Sequence, residues 1–126
     1  MAETTLRRYE VRAQSTATFG RVLCSARQHH FIIDGPAQNG CPGEALTPPE
    51  AFLAGIASCG VELLHVLARD QQLPLADARV TIEGDVDRSA QPRPDVTLFT
   101  AVRLAFVLRG VSDAEAARLV EGFKRR

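Results

Sequence analysis

The feature that most constrains this sequence is a long apolar segment that begins at Pro48. Thr47 and Glu50 have the Thr-x-x-Glu spacing of a capping box, and Pro48 falls at the first helical position, where its missing N–H costs nothing. Over residues 51–61 almost every side chain is apolar or very small. A helix that is apolar on all sides is a buried helix, and about ten such residues are too few to span a bilayer, which takes about 20. The segment therefore predicts the central helix of a soluble core, which reaches about residue 69 or 72 and is ended by Pro74.

The composition allows one domain with a sizeable, mainly aliphatic core. The chain has 126 residues, of which 45% are hydrophobic and 6% aromatic, with no Trp. Its 15 basic and 15 acidic side chains cancel, and no basic block is present, which argues against nucleic acid or a membrane as a partner. The first five residues lack the apolar stretch of a signal peptide. We therefore expect a single cytoplasmic domain over residues 1–126.

Strand patterns precede the helix. Residues 6–13 alternate loosely, which predicts a strand with Tyr9 and Val11 facing inward. The β-type residues of 17–21 continue this pattern around a glycine, and further strand segments are expected at 22–24 and 29–33, which makes residues 6–33 a small antiparallel meander. Asp34-Gly35-Pro36 is a turn signal, and a loop rich in glycine and proline then leads to the helix cap.

Strand patterns also follow the helix. Residues 78–87 alternate cleanly, residues 89–95 predict a hairpin loop, and residues 96–108 predict a long strand with a bend or bulge. Because both faces of 96–108 are partly apolar, we expect a helix or a second subunit to cover the outer face. Ser112 and Glu115 repeat the capping-box spacing before an amphipathic helix at 113–125. The order predicts an α+β fold built on antiparallel sheet.

Three cysteines without a secretion signal argue against a disulfide framework and leave metal binding, redox chemistry or packing as their roles. No His-x-His, His-x-x-x-His or Cys-x-x-Cys pair is present, so a metal site is not expected. There is also no phosphate loop or dinucleotide motif, so we expect no bound cofactor. Cys24 fits strand packing, whereas Cys41 lies in the glycine-rich loop.

Cys59 lies inside the apolar helix, between Ser58 and Gly60. A free cysteine there could be a small packing residue. A reactive cysteine needs a thiolate stabilised by a helix N-terminus or a cation. Because Cys59 is about three turns into the helix, the helix dipole helps little, and a cation such as Arg21 or Arg27 has to come from the strand region. Both interpretations of Cys59 stay open on the residues alone.

Two charged residues have similar alternatives. Glu50 is fully explained as a capping residue, although a carboxylate at that position could also orient an arginine over the sulfur through paired hydrogen bonds. Arg21 could be a solvated strand arginine or the cation that stabilises the thiolate.

The combination of segments 31–36, the glycine-rich loop and the helix motif 47–59 resembles the OsmC/Ohr family. These are osmotically induced and organic-hydroperoxide-resistance proteins. Residues 106–112, followed by a short helix, are also similar to the last third of that family. The order of strands and helices agrees with it over nearly the whole chain.

This resemblance implies an antiparallel sheet with a long central buried helix, assembled as an intertwined homodimer with active sites at the subunit interface. It implies a thiol peroxidase that reduces organic hydroperoxides in oxidative-stress defence. Cys59 would be the peroxidatic cysteine, Glu50 the glutamate near the helix start, and Arg21 the arginine that pairs with it. No metal or cofactor is implied, and a thiol or dithiol reductant would regenerate Cys59.

One departure from the family concerns the second cysteine. Peroxidase members carry a resolving cysteine just after the final helix, and here the sequence ends at Arg126, about where that cysteine and a terminal strand would come. Either the protein is naturally short or the sequence is truncated, and the scaffold could also have lost peroxidase function. Cys41 or an external thiol could complete the cycle. The alternative function is a non-catalytic dimeric module that binds an apolar small molecule in the interface pocket.

Overall fold

The computed structural model describes residues 5–126, which form two compact units that divide between Ala51 and Phe52. The first unit contains the strands β1 (Arg12–Ser15), β2 (Arg21–Ala26) and β3 (His29–Asp34). The helix α1 (Pro48–Asp70) begins in the first unit and continues through the second, which also contains β4 (Asp77–Asp85), β5 (Ala101–Arg109) and α2 (Asp113–Lys124). The α+β class and the antiparallel pairing are confirmed, with two sheets.

The first unit is the predicted meander, a three-stranded antiparallel sheet in the order β1-β2-β3. Its first strand is shorter than predicted, because β1 starts at Arg12, which pairs with Ser25. β2 ends at Ala26, one residue after Ser25, and a tight turn follows. The residues before Arg12 therefore have no strand to pair with. Tyr9 is 85% exposed and Val11 is also exposed. The prediction that these two side chains face inward is therefore wrong.

The segment before β2 also differs from the predicted strand continuation. Residues 17–20 form a bend and turn, and Gly20 has a φ of 80°, which favours glycine. β2 starts at the next residue, Arg21, and its register places Arg21 opposite Asp34 in β3. The turn thus fixes which residues face each other at this end of the sheet.

The helix α1 has the predicted extent. Its C-terminus is a Schellman motif, in which the Leu73 N–H donates to the Ala68 carbonyl (2.8 Å) and the Gln72 N–H donates to the Arg69 carbonyl (3.1 Å), with Gln72 left-handed at φ 57°. By length and composition alone α1 could cross a membrane, but the core helix of a soluble protein meets the same criteria.

The burial of α1 is one-sided, which differs from the all-round burial that its composition predicts. Gly60, Leu64 and Ala68 are buried. Phe52 and Cys59, on another side, are exposed in the single chain. An apolar sequence therefore predicts that the helix will be covered, but it does not say which sides this chain covers itself.

In the second unit, β4 and β5 pair as an antiparallel two-stranded sheet, with Val80 opposite Phe106. The centre of the core is formed by Leu64, Ala68 and Leu119, from the two helices. Phe106 of β5 and Phe123 of α2 meet edge to face at 5.8 Å between ring centroids. The predicted capping box of α2 is confirmed, because Ser112 and Glu115 each bond the other's backbone N–H.

The strand β5 begins at Ala101, so the prediction of a strand over 96–100 is wrong. Gln91 provides the physical reason. Its amide oxygen accepts the Leu98 N–H (2.6 Å), and its amide nitrogen donates to the carbonyls of Leu98 (3.0 Å) and Asp87 (2.8 Å). Because one side chain takes both backbone groups of Leu98, they are not available for a sheet ladder. The predicted loop at 89–95 is confirmed and extends to residue 100.

Candidate active site

Cys59 is a free and exposed thiol on α1. Its neighbour Gly60 is buried, and a Cβ at Gly60 would lie 3.6 Å from Phe123 and 3.7 Å from Val80. Successive residues of a helix are rotated by about 100°, so Cys59 lies on a different side of α1 from the one that packs on β4 and α2. The helix thus holds the sulfur rigidly while leaving it accessible.

Most residues that share the Cys59 side of α1 by helical spacing are apolar or small, and Glu62, three residues after Cys59, is the charged exception. Phe52, seven residues earlier, and Leu63, four residues later, share the face of Cys59 by helical spacing. Phe52 stacks on Phe99 of the loop before β5, with ring centroids 5.7 Å apart and the planes inclined by 18°. Ser58 turns its hydroxyl onto the Gly55 carbonyl (3.0 Å). The site in this unit is therefore an accessible sulfur in an apolar setting.

A second cluster of functional side chains lies in the first unit, around Arg21. Its guanidinium forms a two-pronged contact with Asp34: Nε donates to Oδ1 (2.8 Å) and Nη2 donates to Oδ2 (2.9 Å). Nη2 also donates to Glu44 Oε1 (2.8 Å). Charge-assisted contacts of this two-pronged kind fix the plane of the guanidinium as well as its position.

Asp34 is completely buried and has more partners than Arg21 alone. Its Oδ2 accepts the backbone N–H groups of Glu44 (3.0 Å) and Ala45 (2.9 Å). The Arg21 hydrogen bonds, followed by those two N–H groups, hold the pKa of Asp34 well below its usual range although burial opposes this. Asp34 first, and then Glu44, raise the pKa of Arg21 above its usual value. Both groups are therefore charged at every physiological pH.

Glu50 lies at the start of α1 and bonds only locally. Its Oε1 accepts the Thr47 N–H (2.9 Å) and the Thr47 hydroxyl (2.6 Å). The hydroxyl first, and then the backbone N–H, lower the pKa of Glu50. The glutamate half of the predicted capping box is therefore formed.

The pairing of Arg21 with Glu50 that the family resemblance implies is absent from the first unit as the structure describes it. Arg21 bonds to Asp34 and Glu44, and Glu50 bonds to Thr47. The physical reason is the hairpin register, which places Asp34 directly opposite Arg21. Cys59 belongs to the second unit.

Sequence reasoning missed Asp34 and Glu44 as parts of this cluster. Asp34 was interpreted as a turn residue because glycine and proline follow it. A signal was available, since a carboxylate at the end of the apolar stretch Phe31-Ile32-Ile33 needs a donor if it is buried. An arginine on the neighbouring strand of a short hairpin is the natural donor.

The other two cysteines and the histidines have separate places. Cys24 is buried in β2, as the packing interpretation predicts. Cys41 lies against the backbone of Gly20 and Gly35, where added Cβ atoms would approach the Cys41 Cβ to 2.6 and 2.9 Å. His30 bonds Ser25 Oγ through Nδ1 (2.7 Å). Residues 5–126 contain no group of three His, Cys, Asp or Glu side chains placed to hold a metal.

Solved structures of several bacterial proteins share this fold. An OsmC-like protein of Mycoplasma pneumoniae is 16% identical, with a TM-score of 0.79 over 95% of this chain and 82% of that chain. An organic hydroperoxide resistance protein of Elizabethkingia anophelis, with thiocyanate bound, is 17% identical, with a TM-score of 0.75 over 98% and 85%. An organic hydroperoxide resistance protein, OsmC, of Legionella pneumophila is 24% identical, with a TM-score of 0.71 over 97% and 85%.

Sequence comparison gives the family. No curated protein sequence matches this chain. The profile of the OsmC-like proteins matches residues 41–126, which include Glu50 and Cys59 but not Arg21. This match covers more than half of the sequence and agrees with the shared fold. The chain therefore belongs to the OsmC-like protein family.

Proposed function

We propose that this protein is a thiol-dependent peroxidase of the OsmC/Ohr type, which reduces organic hydroperoxides through Cys59 in defence against oxidative stress. The observation that carries the proposal is the exposed Cys59 thiol, held on the central helix of an OsmC-like chain among apolar side chains. Neighbours in fold that are named organic hydroperoxide resistance proteins support the same class of substrate.

The proposed reaction has two stages. The Cys59 thiolate attacks the terminal oxygen of the hydroperoxide, so that an S–O bond forms, the O–O bond breaks, and the alkoxide leaves and takes a proton to become an alcohol. Cys59 is then a sulfenic acid. A thiol reductant attacks its sulfur and releases water, and a second thiol completes a disulfide of the reductant and restores the Cys59 thiol.

In this mechanism Arg21 is the cation that favours the thiolate and the leaving alkoxide. Two carboxylates fix its guanidinium, as a preorganised donor requires. Glu50 orders the first turn of the helix that carries Cys59. We assign these three residues, Cys59, Arg21 and Glu50, to the catalytic site.

The substrate preference follows from the apolar setting. Phe52 and Phe99 form a stacked aromatic pair, and the Phe52 side of α1 also carries Cys59. Such a surface favours an alkyl or aryl hydroperoxide over hydrogen peroxide, because burial of its tail contributes about 25 cal/mol per Å².

The proposed reductant is an external thiol or dithiol, and the mechanism uses no cofactor, metal, nucleic acid or membrane. Cys24 is buried in β2 and Cys41 is held against two glycines, so neither is freely placed to resolve a sulfenic acid. We further propose that the enzyme works in the cytoplasm as a homodimer, whose second subunit covers the exposed side of α1.

A steady-state assay tests the function. Loss of tert-butyl hydroperoxide, cumene hydroperoxide or hydrogen peroxide is followed with dihydrolipoamide as the reductant. Cys59→Ser is the test variant and Cys41→Ser the matched control. We expect organic hydroperoxides to be consumed fastest, Cys41→Ser to remain active, and Cys59→Ser to be inactive.

Mass spectrometry of the peroxide-treated protein with dimedone locates the oxidised thiol. We expect one dimedone adduct, on Cys59. If the wild-type protein consumes no more peroxide than Cys59→Ser, the peroxidase is ruled out. Binding of an apolar fluorescent probe that depends on Phe52 would then favour the non-catalytic module.

A further inference from the structure

The proposed reaction gives no role to the buried carboxylate of Asp34 in the first unit. Asp34 is completely buried, and a buried charge is expensive unless donors surround it. Four hydrogen bonds reach its two oxygens, two from Arg21 and two from the loop backbone at Glu44 and Ala45. An ion pair with a surface arginine adds little stability. A gain in stability therefore does not explain why this carboxylate is buried.

The two carboxylates that contact Arg21 differ in kind. The Glu44 side chain is 77% exposed and makes one contact with Nη2, which is the type of ion pair that water and salt weaken. Asp34 makes the two-pronged contact, and its Oδ2 also accepts two backbone N–H groups, which fix the carboxylate. The direction of the guanidinium is therefore set by Asp34.

This contact leaves one part of the guanidinium available. Nε and Nη2 are engaged, whereas Nη1 makes no hydrogen bond within residues 5–126. The Arg21 side chain is 30% exposed. With Nε and Nη2 held, the two N–H groups of Nη1 point in a fixed direction and are free to donate to another group.

We infer that Asp34 is the positioning residue for Arg21: it holds the guanidinium in one orientation and leaves Nη1 available for the catalytic role proposed for that arginine. This inference rests on the proposed function and deepens it, because it assigns to Asp34 the orienting task that the family pattern assigns to Glu50. Asp34 touches no reacting atom and acts through Arg21 alone.

The same contacts link the arginine to the segment before α1. The Asp34 N–H donates to the Leu46 carbonyl (2.9 Å), and its side chain accepts from Glu44 and Ala45. Asp34 therefore connects Arg21 to the chain that immediately precedes Thr47, and loss of the carboxylate would remove the Arg21 contact and the two contacts with Glu44 and Ala45 while leaving the backbone bond to Leu46.

The first experiment is independent of peroxidase activity. In protein labelled with 15N-arginine, exchange of the Arg21 Nε–H with water is measured by NMR, with the signal assigned by its loss in Arg21→Lys. We expect Asp34→Asn to accelerate this exchange at least tenfold and Glu50→Gln to leave it unchanged. Equal exchange in wild type and Asp34→Asn, or acceleration in Glu50→Gln alone, would overturn the inference.

The second experiment uses kcat/KM for cumene hydroperoxide in a double-mutant cycle. We expect Asp34→Asn to lose about 10- to 100-fold, as misplacement of a catalytic group does. Asp34→Asn should add nothing further to Arg21→Ala, because one residue acts through the other. Asp85→Asn, which breaks another Asp–Arg contact (2.8 Å to Arg103), is the matched control with wild-type activity. Additive losses would contradict the inference.

Arg21→Lys covers the case in which Asp34→Asn does not fold. Lysine keeps the charge but lacks the planar fork that contacts both Asp34 oxygens. We expect Arg21→Lys to lose almost as much kcat/KM as Arg21→Ala, and a fully active Arg21→Lys would overturn the inference. A wild-type protein without peroxidase activity would instead defeat the proposed function, while the Nε–H exchange would still decide whether Asp34 holds Arg21.

Discussion

At the scale of single residues, Arg21 and Asp34 show why the candidate site was only partly predictable. Local spacing explains Glu50 as a capping residue, whereas the catalytic roles of Cys59 and Glu50 rest on the family resemblance of the helix motif. The partner of Arg21 depends instead on the register of β2 against β3, which the left-handed turn at Arg27 (φ 55°) sets. Register is set by how the strands pair. A sequence motif that assigns Glu50 as the partner of Arg21 therefore cannot show that Asp34 contacts it instead.

Cys41 is explained by its two glycine neighbours. Gly20 and Gly35 flank Arg21 and Asp34 in the sequence, and the Gly35 N–H donates to the Gly20 carbonyl (2.9 Å). The Cys41 side chain occupies the space where either glycine would carry a Cβ. Cys41 therefore packs the end of the sheet that holds the Arg21–Asp34 contact, which suits a structural role better than a resolving one.

Replacing Gly35 with alanine tests that packing. The new Cβ would lie 2.9 Å from the Cys41 Cβ and nearer still to its sulfur, so the Cys41 side chain must move. We expect Gly35→Ala to destabilise the protein by about 1–3 kcal/mol, as overpacking does, measured by urea unfolding. The Cys41 thiol should also react faster with a disulfide reagent, since it loses its place.

The double variant Gly35→Ala/Cys41→Gly is the control for this cause. Removing the Cys41 side chain leaves room for the alanine, so the double variant should be more stable than the sum of the two single losses by about 1 kcal/mol. Simple additivity would show that Cys41 does not limit the space at Gly35.

At the scale of secondary structure, two predicted strand boundaries were wrong. In one case the neighbouring strand is shorter than expected, and in the other a side chain occupies backbone groups that a sheet would use. α1 and α2 were predicted within a few residues because their caps are local. β1 starts six residues later than predicted because β2 ends at Ala26. β5 starts five residues later because Gln91 takes the backbone groups of Leu98. Periodicity alone contains neither fact.

The Gln91 contact gives a prediction for the loop between β4 and β5. In Gln91→Ala the Leu98 N–H loses its acceptor, and we expect its hydrogen exchange to accelerate about tenfold, which corresponds to the loss of about 1.4 kcal/mol of local protection. The Thr100 N–H, which donates to the Asp85 carbonyl (2.8 Å), is the internal reference and should change little.

Gln91→Glu separates the two halves of the contact. Glutamate retains an oxygen that accepts the Leu98 N–H but lacks the amide N–H groups that donate to Asp87 and Leu98. Leu98 should therefore stay protected in Gln91→Glu. Unchanged Leu98 exchange in Gln91→Ala would mean that Gln91 does not hold the loop.

At the scale of the whole molecule, the single chain leaves much apolar surface uncovered. Among the described residues, the buried hydrophobic residues are only Cys24, Leu64, Ala68 and Leu119. Phe52, on the Cys59 face of α1, is 59% exposed. Isolated exposed hydrophobic residues are normal, but an exposed apolar helix face is the kind of surface that a subunit interface covers.

We therefore predict a homodimer in which α1 meets its copy. Sedimentation equilibrium should give twice the chain mass of 13.7 kDa.

The variant Gly55→Arg tests whether this face of α1 forms the interface. No atom lies within 4 Å of a Cβ added at Gly55, so a single chain would accommodate the arginine. Arginine is also the better helix former by about 0.8 kcal/mol. A dimer that uses this face would have to bury the arginine without an acidic partner. We therefore expect the dissociation constant of the dimer to rise at least tenfold, which corresponds to about 1.4 kcal/mol. Ala114→Arg, at an exposed position of α2, should remain dimeric. A wild-type mass of one chain, or a Gly55→Arg variant that dimerises as tightly as wild type, would exclude this interface.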